Sequence, residues 1–355
     1  MRNRKFGVIK LIFLCLVIAV ISAVPTLAVA KNKREQMEEI LHVEPASFQG
    51  IINIWNVDTF ESGSRGKSVF IEDVASEFSA KNRGVYFLVK NIGVDELIQS
   101  LLDGNKPDMI CFGQGVGEVV KPLLKELNMV ENCDVRQEVL SAGKVGESQL
   151  AVGFLMGGYI LASTQEKLLD AGVDADVQLS SILNSCGFDT QTKNGVKHTS
   201  SIVIGTNNFT LPQMSLKNAT GVEVKDIYWS VSPYDAYIDF VAYNKGSILL
   251  GTQRDLHKLS GRVAVGKING IKLEYVSNYT NLIQYVGIVK DTIGGEEKFK
   301  LMEEFLWFLT SEESQEKTTE IGMVNVLKRE YYSGGEFLNL ERTLNGNLSV
   351  PNVFE

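Results

Sequence analysis

The stretch GIINIWNVDTFESGSRGKSVFIEDVASEFSAKNRG, residues 50–84, carries the reading of the whole chain. Gly50–Val57 alternates branched apolar residues with polar ones, the pattern of a strand with at least one buried face. The loop DTFESGSRGKS follows, polar and glycine-bearing, and from there Val69, Phe70, Val74 and Phe78 recur at helical spacing. Strand, loop and helix form the opening unit of an open α/β sheet. Ligands in such sheets bind beyond the carboxyl ends of the strands, where this loop sits. Trp55, Asn56, Asp58, Phe60, Glu61 and Arg65 fall within eleven residues, a mixture that suits a ligand surface better than a plain connection. Gly66-Lys67-Ser68 resembles the end of a nucleotide-binding P-loop. That motif needs a glycine where Glu61 stands, and a carboxylate there would oppose the phosphate, so the nucleotide reading fails.

Working outward, residues 1–30 read as a secretory signal segment. Arg2, Arg4, Lys5 and Lys10 precede a continuous apolar run from Leu11 to Val24, and Ala28-Val29-Ala30 offers a cleavage site. Left uncleaved, the segment would serve as a membrane anchor. The expected location is extracytoplasmic, at the cell surface. Losing residues 1–30 removes four basic residues and no acidic ones, leaving 31 Lys and Arg against 43 Asp and Glu, a net charge of −12. With no basic cluster, nucleic acid and anionic membranes are poor partners. Residues 31–48 read as a charged tether or short surface helix, and the remaining length calls for two domains.

Val85–Lys90 reads as a second strand, Asp95–Leu102 as a short helix and Asp108–Phe112 as a third strand ending at Gly113-Gln114. This β-α-β-α-β order predicts a parallel sheet. Gln149–Leu161 is a glycine-broken apolar run, either a buried strand or a crossing between lobes. Further strands are expected at 201–205, 247–250, 272–276 and 283–289. Helices are expected at 232–244, 298–308 and 312–321, with Ser311 a suitable N-cap. Cys111, Cys133 and Cys186 are too few for a disulfide scaffold; buried thiols fit better than a Cys111–Cys133 bridge.

Catalytic and metal signals are weak. His42, His198 and His257 lie far apart, and there is no H-x-x-x-H, C-x-x-C or G-x-S-x-G. Asp58 and Glu61 could pair as glycosidase carboxylates, but loop acids more often bond sugar hydroxyls or cap helices. The chain reads as a binding protein, not an enzyme, with no catalytic residue, metal or cofactor. Aromatic residues gather at strand ends, with Trp55 and Trp229 the foremost candidates for stacking on sugar rings.

Six segments carry a resemblance: INIWNVDTFESGSR, EFSAKNRGVYFLV, LLDGNKPDMICFG, GGYILASTQEKLLDAGV, YNKGSILLGTQRD and EEFLWFLTSEESQEKTTEIG. In this order they resemble the extracellular solute-binding proteins of ABC importers, in the maltose-binding-protein-like group. The resemblance implies two α/β lobes, each a mainly parallel sheet flanked by helices, joined by hinge strands. It places lobe one at 49–155 with 283–312 and lobe two at 156–282 with 313–355. It implies a monomer that binds a carbohydrate, an oligosaccharide by preference, by hinge closure and delivers it to permease subunits. The implied contacts are Trp55, Asn56, Asp58, Phe60 and Arg65; Phe112, Gly113 and Gln114; Tyr159; Gln253, Arg254 and Asp255; and Asn278 and Tyr279. The family's lipid-attachment cysteine is missing. A ligand sensor for a membrane receptor or kinase is the alternative, and Arg65 with Arg254 leaves room for an anionic solute.

Overall fold

Strand β1 (Pro45–Val57) starts within the stretch read above as a tether, and residues 31–44 and the signal segment lie outside the described residues. Phe48 packs against the core, and Gly50, at φ 151°, sits at a shift of register that lets the strand run on. The computed structural model describes residues 45–128, 133–170, 172–174, 176–183, 188–192, 195–221, 223–224, 226–290 and 293–355. Helix α1 (Lys67–Lys81) follows, burying Phe70, Ile71, Val74, Ala75 and Phe78, apolar positions three and four apart. Then come β2 (Arg83–Ile92), α2 (Val94–Leu102) and β3 (Met109–Phe112).

The run from Val152 to Thr164 divides into β4 (Val152–Met156) and β5 (Tyr159–Thr164). Beyond it lie β6 (Gly195–Gly205), β7 (Ile227–Ser230), α3 (Pro233–Val241), β8 (Gly246–Thr252) and α4 (Gln253–Ala264). The last labelled elements are β9 (Ile271–Tyr275), β10 (Ile283–Ile288), α5 (Gly295–Leu309), α6 (Glu312–Glu316) and α7 (Gly335–Leu344). The expected N-cap at Ser311 forms, accepting from the amide of Ser314, and Ser232 caps α3 by accepting from that of Asp235.

Two sheets result. The first has the order β2-β1-β3-β10-β4 and the second β7-β6-β8-β5-β9, with Phe188–Thr192 also paired to β6. Within each path one strand runs against its neighbours: β10 in the first, β5 in the second. The fold is therefore mixed α/β with two mainly parallel sheets flanked by helices, as the sequence predicts. Helix α1 lies on the first sheet beside α5, where Phe78, Phe87 and Phe305 form a ring cluster with centroids 4.3–5.9 Å apart.

The apolar run 149–161 is a crossing between sheets, because Gly157 and Gly158 separate β4 from β5. A second crossing, from β9 to β10, runs beside it. The Gly157 amide donates to Leu282 O at 2.6 Å, and Thr280 Oγ1 donates to Gly157 O at 2.8 Å. Residues 313–355 divide their contacts between the halves. Lys317–Ile321 packs on α1, while α7 packs on α4 and β9, and Phe354 returns to Phe112 in the first sheet, ring centroids 5.9 Å apart. Cys111 is buried with a free thiol and Cys133 is free and half-buried; Cys186 lies outside the described residues. Among the described residues no helix is long and apolar enough to cross a membrane.

One ion pair fixes α5 to the first sheet. Lys298 Nζ meets Asp108 Oδ1 at 2.6 Å with both side chains buried, and Asp108 Oδ2 accepts from the amide of Asn53 at 2.8 Å. Removing one partner strands the other's charge. Asp108→Ala should therefore lose about 3–5 kcal/mol of unfolding free energy in urea titrations, and the Asp108→Ala/Lys298→Met double variant distinctly less. A loss below about 1 kcal/mol in the single variant would contradict this assignment.

Candidate functional site

A cavity of about 480 Å³ lies between the two halves. One wall is the loop after β1: Asp58, Thr59, Phe60, Glu61, Ser62, Gly66 and the first residue of α1, Lys67. The facing wall comes from three strand ends of the second sheet: Thr206, Asn207, Phe209 and Thr210 after β6; Ser232, Pro233 and Tyr234 after β7; and Thr252 and Arg254 after β8. Leu282 in the second crossing completes the lining. Every contributing strand end is a carboxyl end, as the general rule for open α/β sheets requires. The lining is mixed: three aromatic rings, several hydroxyls and an amide, with few charges.

Those charges are already partnered. Lys67 Nζ is buried under the loop, 3.1 Å from Asp58 Oδ1, donates to Phe60 O at 2.5 Å and lies 3.6 Å from the Phe60 ring centre. Burial pulls its ammonium down to about 8, against the pull of Asp58 in the other direction. Across the cleft, Arg254 Nη1 meets Glu61 Oε2 at 2.7 Å, and Nη2 meets Asp255 Oδ1 at 2.9 Å. Arg254 is held by its place on α4: Thr252 and Asp255 form a reciprocal capping box around that helix start. Two further bonds span the halves, from Gln253 Nε2 to Glu61 O at 2.6 Å and from Asn207 Nδ2 to Thr59 O at 3.3 Å. The Thr59 hydroxyl is buried and faces Gly113.

Of the residues expected in the site, Asp58, Phe60 and Arg254 line the cavity. The others do not, for identifiable reasons. Trp55 lies two residues short of the strand end, half-buried against the core in register with Lys90 and Ile110. Asn56 is consumed inside the sheet, donating to Asn91 Oδ1 at 2.8 Å and accepting from Gln284 Nε2 at 3.0 Å. Arg65 turns outward to within 3.8 Å of Glu320. Phe112 is core, 6.3 Å between ring centres from Tyr285. Gly113 makes room for Thr59, whose Oγ1 would stand 2.2 Å from a Cβ there. Gln114 reaches Asn352 O at 3.5 Å.

On the second half, Tyr159 is buried and bonds Asn281 Oδ1 at 2.8 Å, and burial pushes its hydroxyl well above the ordinary range. Trp229 lies in a separate surface hollow with Gln213, Met214 and Lys217. Gln253 ties the crossing to the β1 loop, accepting from the amide of Gly158 at 3.2 Å, and Gly157 is small because a Cβ would stand 2.5 Å from Gln253 Oε1. Asp255 is the capping partner of Thr252. Asn278 donates to Asn218 O at 3.1 Å, and Tyr279 is buried with its backbone bridged to Ser349.

Sequence reasoning missed Lys67, Phe209 and the polar residues of 206–210, and noted Tyr234 only as one of the aromatic residues at strand ends. The signal was present: SIVIG reads as a strand, and Thr206-Asn207 follows its carboxyl end as Asp58-Thr59 follows β1. Among the described residues no group of three His, Cys, Asp or Glu is placed to hold a metal ion.

No protein-family model matches the sequence, and neither does any curated protein at the level of sequence. The fold is widely matched among solved structures. The GacH receptor of Streptomyces glaucescens, solved unliganded and with acarbose, shares 12% identity at a TM-score of 0.63, over 86% of this chain and 89% of that one. An ABC substrate-binding protein of Listeria monocytogenes in complex with cycloalternan shares 12% identity at 0.57, over 86% and 88%. Iron-bound HitA of Pseudomonas aeruginosa shares 15% at 0.53, over 82% and 92%. The fold is that of the two-lobed, maltose-binding-protein-like solute-binding proteins of ABC importers. Its relatives in structure are receptors for substrates rather than enzymes, mostly for carbohydrates.

The buried Lys67 makes stability depend on pH in a defined direction. Its native pKa of about 8 lies below the ordinary 10.5, so between those values the unfolded chain binds more protons and stability rises with pH. The penalty for burying the charge is present in full below about 8. The difference in unfolding free energy between wild type and Lys67→Met should therefore shift in favour of wild type by roughly 2–3 kcal/mol from pH 7.5 to 10.5. A difference independent of pH would show that Lys67 stays charged in the native state.

Proposed function

We propose that this protein is the extracytoplasmic solute-binding subunit of an ABC importer, and that the cleft takes an uncharged carbohydrate, an oligosaccharide by preference. The observation that carries the solute class is the cavity lining. Phe60, Phe209 and Tyr234 offer ring faces to the C–H faces of sugars, while Asn207, Thr210 and Ser232 offer groups to hydroxyls, and each cation on the wall is paired within the protein. A cavity of about 480 Å³ falls within the usual size of small-molecule sites. Iron would need a cluster of anionic or imidazole ligands, and the lining supplies Asp58 and Glu61, each already paired with a cation.

The two sheet-centred halves act as the lobes, with the paired crossings at Gly157 and Leu282 as hinge, and solute is exchanged by opening across the Glu61–Arg254 and Gln253–Glu61 contacts. A monomer suffices, because both walls come from one chain. Permease subunits would receive the solute, and no nucleic acid takes part.

Titration calorimetry of the chain from residue 45 onward against neutral oligosaccharides such as maltotriose and cellotriose tests the solute class. Heat is expected for at least one, and silence across the panel would refute it. With a binding sugar in hand, Tyr234→Ala and Phe209→Ala should each weaken affinity about tenfold, roughly 1.4 kcal/mol, whereas Trp55→Ala should leave it within a factor of about two. Equal losses in all three would move the site away from this cavity.

A further inference from the structure

Resting on the cleft as the solute site, we propose that Glu61 sets the charge of the solute: its carboxylate occupies the cavity-side nitrogen of Arg254 and thereby excludes anions. Arg254 is fixed and buried, with Nε and Nη2 both directed to Asp255 Oδ1, at 3.2 and 2.9 Å, and Nη2 also to Pro233 O at 3.3 Å. Nη1 is the nitrogen left over, and it donates to Glu61 Oε2 at 2.7 Å. The partners differ in freedom. The Arg254 side chain is 4% exposed, whereas that of Glu61 is 62% exposed and sits on a loop.

A guanidinium presented to a cavity in this way is a ready receptor for a carboxylate. Here the carboxylate is the protein's own. The second cation, Lys67, is likewise taken by Asp58 and Phe60 O. On the lining, Asp58 and Glu61 pair with Lys67 and Arg254, Asp255 backs Arg254, and Lys258 Nζ lies 5.1 Å from the Tyr234 ring centre. An anionic sugar held in the closed cleft meets no vacant cation on the lining. A neutral sugar needs none. Removing the Glu61 carboxylate would vacate Nη1.

The test uses sodium glucuronate as the anionic probe and glucose as its neutral counterpart, at constant ionic strength. Wild type, Glu61→Ala, Glu61→Gln and Glu61→Ala/Arg254→Lys are compared, with Glu147→Ala as a control that changes net charge by the same amount at an exposed site. Glu61→Ala should bind glucuronate about tenfold tighter than wild type or Glu147→Ala, and Glu61→Gln should fall between. Arg254→Lys, which replaces the fork by a point charge, should remove most of that gain; circular dichroism checks that this variant is folded. Glucuronate binding equal in wild type and Glu61→Ala overturns the proposal, as does an equal gain in Glu147→Ala or a gain that survives Arg254→Lys. Should no neutral sugar bind wild type while Glu61→Ala still gains glucuronate, the role of Glu61 stands and only the carbohydrate reading falls.

Discussion

The pairing of two crossing segments governs this molecule. Gly157 and Leu282 lie side by side, joined by the 2.6 Å bond from the Gly157 amide and by the Thr280 hydroxyl on Gly157 O. On one side of them the chain enters the first sheet, on the other the second. Their antiparallel course sets where the carboxyl ends of β1, β6, β7 and β8 meet, and so where the cavity forms. Gln253 reinforces the arrangement by touching both the crossing, at Gly158, and the loop from the opposite half, at Glu61. A side chain larger than hydrogen at 157 would collide with that glutamine.

The cavity owes its chemistry to ion pairs that leave no cation to spare. Burying Lys67 costs free energy, which the Asp58 carboxylate and the Phe60 carbonyl offset in part, and the result is a fixed loop rather than a free ammonium. Arg254 is treated in the same way by Asp255. What remains available on the walls is aromatic surface and neutral hydrogen-bonding groups, a combination suited to a polyhydroxylated molecule. Residue 113 is glycine because the buried Thr59 hydroxyl occupies the place a side chain would take.

The fold was largely legible in the sequence, because strand alternation and helical spacing are local properties. Ile52 and Ile54 alternate into the core, and Phe70, Val74 and Phe78 repeat along one face of α1. The glycine-broken run of 149–161 read as a buried strand or a crossing, and it is the crossing that forms, with a strand on either side of Gly157-Gly158. The site was legible only in part, because a wall depends on which loops face one another. Trp55 and Asn56 attracted attention by residue type, yet the strand continues past both before the loop begins. Lys67 appeared as a fragment of a phosphate motif, and nothing local to it foretold that its side chain would fold back under Phe60. Gln253 and Asp255 stand next to Arg254 in sequence, but one braces the hinge and the other caps a helix.

The return of late residues to the first sheet bears on how the chain is made. Strands β5 to β9 follow one another between residues 159 and 275, so the second sheet has all its strands as soon as that span has been synthesised. The first sheet does not. It waits for β10 to slot between β3 and β4, and for Phe354 to settle on Phe112. Until then the edges of β3 and β4 stand open, a state in which unfinished strands attract one another. The sheet that can close first is therefore the uninterrupted one.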